Sequence, residues 1–295
     1  MKRATTVEEQ IKKLIERGMS LDQGEEKAKE ILLDIGYFRL GFYCFPFEKT
    51  YPALNNRTHE YKDGSLLSDV VKLYYLDVDL RNILSKYIYR IEVHFRTNLV
   101  YWASNKYKDS NTWFADPSVM KKDFLSGVDK IYSDIHKTNK LIKEHHEKHK
   151  DDKYAPAWKT IEHFTFGNIL KVYRNLKEDT IKLAIAKVYG IQSVRTFENY
   201  MRTIVAVRNV CAHGSIMFDL NLALSIAKGP AVEINETNKN NLYSAICVIK
   251  HILGEISKNR MNDLEEQMAE VFEKHENNNQ LKAVIEQRIG YFFNS

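Results

Sequence analysis

Apolar residues recur at three- and four-residue intervals through most of this chain, and the longest such stripe runs from Ser65 to about Lys106. Val70, Leu73, Tyr74, Leu76, Leu80, Ile83, Leu84, Tyr87, Ile88, Ile91, Phe95 and Leu99 fall on it, a period that predicts one long core helix. Two shorter helices with clear start signals precede it. Thr6-Val7-Glu8-Glu9 has the form of a capping box, in which a hydroxyl and a carboxylate satisfy each other's backbone N–H, and Gly18 closes that helix. Ser20-Leu21-Asp22-Gln23 offers a second box, opening a helix through Ile31, Leu32 and Ile35 to Gly36.

Between these helices and the long one, residues 37–47 (YFRLGFYCFPF) concentrate six aromatics. They read as a packed corner or, with Arg39 beside them, as a surface for stacking unpaired bases. Residues 50–64, with Pro52, Asn55, Asn56 and Gly64, read as a loop or short hairpin. Beyond the long helix, Asp116-Pro117 has the form of an N-cap and first helical position. The helix it predicts runs to about Lys150, and its second half (KTNKLIKEHHEKHKDDK) is so polar that it is expected to project into solvent or onto a partner. Trp158, Ile161, Ile169, Leu170, Val172 and Tyr173 mark another amphipathic stretch, interrupted near Gly167. Ser193 to Ala212 is a helix with Phe197, Met201, Ile204 and Val205 inward. Pro230 and Asn235–Asn241 bound a loop before the last helices, which start near Asn241 and Met261. The expected architecture is an all-α bundle with a short irregular or hairpin insert. It is organised as an N-terminal helical region over 1–64 and a helical domain over 65–295, from which 116–153 projects.

Composition narrows the picture. Only 12 Gly and 5 Pro occur in 295 residues, too few for a turn-dense β-sandwich or barrel. Cys44, Cys211 and Cys247 lie far apart, which excludes a disulfide framework and a zinc ribbon. The opening MKRATTVEEQIKKLIERG lacks the apolar stretch of a signal peptide, and no run of about 18 apolar residues offers a membrane span. A cytoplasmic location is expected. The net charge of +5 is unevenly placed: eight acids against five bases over residues 255–288 leave the rest of the chain at +8. A basic body with an acidic C-terminal segment suits a polyanionic partner.

The candidate chemistry lies at the end of the 193–212 helix, in Val207-Arg208-Asn209-Val210-Cys211-Ala212-His213. A guanidinium, an amide and an imidazole stand within about one and a half turns, next to Gly214, which lets the chain leave the helix. The imidazole can take a proton from a ribose 2′-OH or give one to a leaving 5′-oxygen, and the guanidinium can hold the phosphate and offset its developing charge. Neither step calls for a metal or cofactor. Arg208 and His213 are five positions apart and do not share one face of an ideal helix; the exit at Gly214 offers a way to bring them together. A purely structural alternative has Arg208 binding terminal carbonyls and His213 capping the helix. His145, His146 and His149 invite a metal reading, but HHEKH is not HExxH, and solvated charge is the plainer account. Arg90, Glu92 and Arg96 form a polar row on the long helix, as salt bridges or as the lining of an RNA groove, and Glu162 and His163 are equally open.

The string RNVCAH does not stand alone. Together with LIERGMSLDQGEEKAKEILLDIGYFRLGFYCFPF (14–47), DVVKLYYLDVDLRNILSKYIYRIEVHFRT (69–97), APAWKTIEHFTFGNILKVYRNL (155–176) and VRNVCAHGSIMFD (207–219), it resembles the Abi-like proteins of the AbiD/AbiF type. These are bacterial phage-abortive-infection proteins of the HEPN ribonuclease superfamily. The resemblance implies a HEPN-type helical bundle whose Arg-x4-6-His motif cleaves RNA without metal at a site shared by two units. Residue by residue, it makes Arg208 the phosphate contact, His213 the acid/base and Asn209 an orienting residue. Where the family often carries a basic residue and an Asn beyond the His, this chain has Gly214 and Asp219. Arg202, Arg96, Arg90 and Arg39 are further candidate RNA contacts. One motif per chain implies a homodimer. A toxic nuclease also implies restraint, by a bound structured small RNA, by an antitoxin or by the acidic segment in cis. The alternatives are a non-catalytic RNA-binding module that holds a structured RNA or senses phage, and a protein–protein scaffold with no affinity for RNA.

Overall fold

Thr6 and Glu9 form the expected capping box at the start of helix α1 (Val7–Glu16): Thr6 Oγ1 accepts the Glu9 N–H (3.3 Å) and Glu9 Oε2 accepts the Thr6 N–H (2.9 Å). The second box does not form. Helix α2 (Glu25–Ile35) starts only after Gly24, and the segment before it pairs with residues 65–68 instead. Ser20 exchanges backbone hydrogen bonds with Ser65 and Leu67, and Asp22 Oδ1 accepts the Ser68 N–H. Helix α3 (Tyr37–Cys44) follows, and a 3-10 turn over Phe45–Phe47 completes the aromatic corner. Its rings divide: Tyr43, Phe45 and Phe47 are buried, whereas Phe38 and Phe42 are exposed. The insert that follows is a loop closed by a single antiparallel bridge between Glu48 and Tyr61; Arg57 and His59 hold the buried Glu48 carboxylate at its base.

The long stripe becomes helix α4 (Leu67–Lys106), 40 residues without interruption. Its predicted inward positions are buried, apart from Tyr74 and Ile83, which are half-buried. Asp116-Pro117 is a turn rather than a helix start: Asp116 Oδ1 accepts both the N–H and the hydroxyl of Ser118 at 2.7 Å, and helix α5 (Lys122–Thr138) opens five residues later. The chain breaks at Asn139, whose Oδ1 caps helix α6 (Lys140–Lys148) through the Ile142 N–H. The polar stretch is therefore not wholly solvated, since Ile142 and His145 are buried. Helices α7 (Ala157–Thr160), α8 (Phe166–Asn175), α9 (Asp179–Val188), α10 (Val194–Ala212), α11 (Leu242–Ile256), α12 (Lys258–Glu273) and α13 (Asn279–Val284) complete the chain.

This computed structural model describes residues 3–231 and 238–293; Asn235 and its neighbours in the loop before α11 lie outside them. Among the described residues the fold is all-α, with no β-strand, and no helix is long and apolar enough to cross a membrane.

Two compact units make up the chain, and the division falls inside α4 rather than after residue 64. The first comprises Met1–Ile83, Gly214–Asn221 and Glu266–Ser295; the second comprises Leu84–His213 and Leu222–Glu265. In the second unit, α10 packs against α8, α9 and α11. An aromatic cluster fixes it there: the Phe197 ring lies 5.7 Å from that of Phe95, 5.3 Å from Tyr173 and 5.1 Å from Tyr189. Rings at these separations add edge and stacking attraction to the burial of their area. The first unit is organised around Asp77 on α4. Its fully buried carboxylate accepts the N–H groups of Met217 (2.8 Å) and Phe218 (2.7 Å) and the Tyr43 hydroxyl (3.0 Å).

Candidate functional site

Helix α10 carries the Arg-to-His segment, and its frame is set at both ends. Ser193 caps the start, its hydroxyl accepting the Thr196 N–H (3.2 Å). Phe197, Tyr200, Met201, Ile204 and Val207 bury one face. The helical pattern persists to the last position, where the His213 N–H donates to the Asn209 carbonyl (3.0 Å) and His213 stands at φ −95°, ψ 4°. Gly214 then turns the chain out at φ +61°, the left-handed conformation that glycine adopts without a Cβ penalty.

That geometry decides which motif residues share a face. Because the i to i−4 bond to His213 is intact, its side chain follows the helical rotation of about 100° per residue. Glu198, Arg202, Val205, Ala206, Asn209 and His213 recur at three- and four-residue spacing and line up opposite the buried face. Asn209 and His213, one turn apart, are both exposed. Arg208 lies about 140° around the helix from His213. Among the described residues, no hydrogen bond or ion pair joins the two side chains. The exit at Gly214 does not fold the imidazole back onto the guanidinium within one chain.

Arg208 leans instead toward α4, where its Nε stands 4.0 Å from Glu92 Oε2. At that separation the pairing is loose, and its Nη groups make no hydrogen bond among the described residues. Glu92 is buried, and burial holds its carboxyl above the ordinary value against the pull of Arg96 and Arg208. Arg96 is engaged through both Nη groups: Nη2 reaches Glu92 Oε1 (3.0 Å) and the Phe164 carbonyl (3.3 Å), and Nη1 reaches Glu162 Oε1 (3.2 Å), while its Nε is buried without a partner among the described residues. Arg90 is half-buried, and its Nε is buried without a partner among the described residues. Arg202 is exposed on the Asn209–His213 face and, with Asn209, lines a groove of about 710 Å³ in the second unit.

Arg39 belongs to the first unit, where it donates to the Gly214 carbonyl (2.7 Å) and lies over the Tyr74 ring. The segment that follows the motif is anchored there by groups that sequence reading missed. Arg81 donates to the Ser215 carbonyl (3.0 Å), Asp77 takes the Met217 and Phe218 N–H groups, and Arg288 donates to Asp219 (2.6 Å). The available signal was an Asp77/Arg81 pair, spaced i, i+4, on the apolar stripe of the long helix. Charged residues at core positions need partners that sequence does not name.

The histidine-rich stretch is built into the second unit. His145 Nε2 pairs with Asp152 (3.0 Å), and its ring stacks on that of His149. His146 Nε2 lies 2.7 Å from the Tyr132 hydroxyl. Burial, then His136 and His145, lower the His146 pKa. Among the described residues, no group of three or more His, Cys, Asp or Glu is gathered as metal ligands would be.

Comparison with known proteins adds one match. A family model described as Abi-like protein matches residues 30–219, the span from α2 through the segment held by Asp77. No curated protein and no solved structure matches the chain.

Proposed function

The chain belongs to the Abi-like protein family, and on that premise we propose that it is an endoribonuclease of an abortive-infection response, acting in the cytoplasm to cleave RNA when phage infects. The observation that carries this reading is the presentation of Asn209 and His213 on one exposed face at the end of α10, with Arg202 behind them. In the reaction, the ribose 2′-oxygen bonds to phosphorus as the P–O5′ bond breaks. His213 chemistry moves the proton from the 2′-hydroxyl and supplies one to the 5′-oxygen, leaving a 2′,3′-cyclic phosphate and a 5′-hydroxyl. Arg208 holds the phosphate and offsets the charge that develops on it, and Asn209 orients the site. This chemistry needs no metal ion.

The separation of Arg208 from His213 around one helix supports a HEPN-type site completed by a second copy of the chain. Its partners under this reading are the substrate RNA, that second copy, and a structured small RNA or antitoxin protein that restrains the free nuclease. The same separation favours the second reading, an RNA-binding module without catalysis. Labelled RNA incubated in EDTA with wild type and with His213→Ala distinguishes them, once matching melts and sedimentation establish equal folding and assembly. Cyclic-phosphate ends from wild type alone are expected. Inert wild type that co-purifies with a discrete RNA overturns the nuclease in favour of the module.

A further inference from the structure

The groove beside Asn209 carries more charge than the motif accounts for. Its walls are α8, α10 and the N-terminal turn of α5, all within the second unit. Besides Arg202, they contribute Lys121, Lys171 and Arg174. Lys121, Lys171 and Arg202 form no ion pair among the described residues, and Arg174 reaches Glu198 only at 3.8 Å. Four cations thus face two carboxylates, Asp123 and Glu198, across a floor of Leu170, Val205 and Ala206. The volume of about 710 Å³ falls in the range of ligand pockets, about 300–1,000 Å³, and is too small for a duplex.

The lining is as informative in what it omits. Among the described residues, no aromatic side chain lines this groove, so it offers no platform on which a base could stack. What remains is recognition of phosphate by the point charges of two lysines and the guanidinium forks of Arg174 and Arg202. The groove also has a direction, because Arg202, Asn209 and His213 succeed one another along one face. Arg202 to His213 spans about 16 Å of helix, the length of a few nucleotides.

We infer that this groove is the track for the phosphodiester backbone of single-stranded RNA, with Lys121, Lys171, Arg174 and Arg202 holding successive phosphates and delivering the strand across Asn209 to His213. The choice of RNA over another polyanion rests on the ribonuclease reading. The groove itself is sequence-blind, since it meets phosphates and not base edges.

The test is fluorescence anisotropy of a labelled single-stranded RNA across a salt series, using full-length protein carrying His213→Ala so that the probe survives. Lys171→Ala/Arg202→Ala is added to that background, with Lys12→Ala/Lys27→Ala, which lies outside the groove, as the control. Each lost phosphate contact flattens the slope of log K against log salt by about 0.7 for a single strand. The groove variant is therefore expected to bind about tenfold more weakly at low salt, with a slope shallower by about 1.4, while the control matches its parent. Lys171→Glu is expected to weaken binding further without altering the melt. Unchanged affinity and slope in the groove variants overturn the inference, even where cleavage still requires His213. Preference for a polyglutamate peptide over RNA overturns it equally. Groove-dependent RNA binding by a wild type that never cleaves sustains the track and removes the nuclease instead.

Discussion

Glu92 Oε2 stands 4.0 Å from Nε of Arg208, and this contact ties the Arg of the motif to a buried acid on the neighbouring helix α4. Burial raises the Glu92 pKa above its ordinary value, with Arg96 and Arg208 opposing that rise. The folded chain therefore holds the Glu92 proton more tightly than the unfolded chain does. By linkage, the contribution of Glu92 to stability is most favourable below its unfolded pKa and is lost as pH rises through the folded one. Glu92→Gln keeps an oxygen for Arg96 but cannot ionise. The melting temperature of wild type relative to Glu92→Gln is expected to fall between about pH 4 and pH 7. A difference that stays flat or rises across that interval contradicts the assignment.

Under the nuclease reading, the loose pairing leaves the Nη groups of Arg208 for the phosphate. Lysine in that position keeps the charge but loses the planar fork. Arg208→Lys is expected to reduce kcat about as severely as Arg208→Ala, by roughly 10²–10³, with KM for RNA changed much less. The reading of Arg208 as a phosphate clamp fails if Arg208→Lys retains wild-type kcat.

Asp77 is a buried polar anchor of the first unit, accepting three hydrogen bonds. Its removal leaves the buried N–H groups of Met217 and Phe218 unpaired and the Arg81 guanidinium, 3.5 Å away, without its counter-charge. Breaking a buried pair from one side costs about 3–5 kcal/mol. Asp77→Ala is expected to lose stability of that order in urea unfolding, and Asp77→Asn, which keeps one acceptor oxygen, distinctly less. Equal losses from both variants would show that the charge, rather than the acceptor geometry, holds the 215–219 segment.

The sequence was most legible where a local rule and the long-range packing agree. The Thr6–Glu9 box, the α4 stripe and the run of α10 to Gly214 all depend on neighbours within a turn or two. Legibility failed where a distant partner outcompeted the local one. Ser20 to Gln23 spell a capping box, but Ser20 pairs through its backbone with Ser65 and Leu67, and Asp22 accepts from Ser68. Asp116-Pro117 spells a helix start, yet Ser118 closes a tight turn on the same carboxylate. In the site, the spacing of Arg208 and His213 was readable, but the commitments of Arg96 to Glu162 and of Arg39 to Gly214 join residues far apart in sequence. The cations of the groove, drawn from α5, α8 and α10, carry no common motif at all.

The absence of a basic residue directly after His213 follows from the backbone. Gly214 sits at φ +61°, where any residue with a Cβ is strained by roughly 1–2 kcal/mol. A Cβ built there meets only the Arg39 guanidinium among the described residues, with Nη2 at an unforced 3.6 Å and Nη1 at 3.9 Å, so the penalty is conformational and not a clash. Gly214→Ala and Gly214→Arg are therefore expected to destabilise the chain by similar amounts, about 1–2 kcal/mol, and Gly214→Asn by less, since Asn tolerates the left-handed region. Denaturant midpoints of the three variants test this ordering. Stability of Gly214→Arg equal to wild type would mean that the exit from α10 can be rebuilt and that its form here does not dictate glycine. The expected ranking would instead establish that the turn placing His213 at the exposed end of the helix also excludes a cationic side chain at that position.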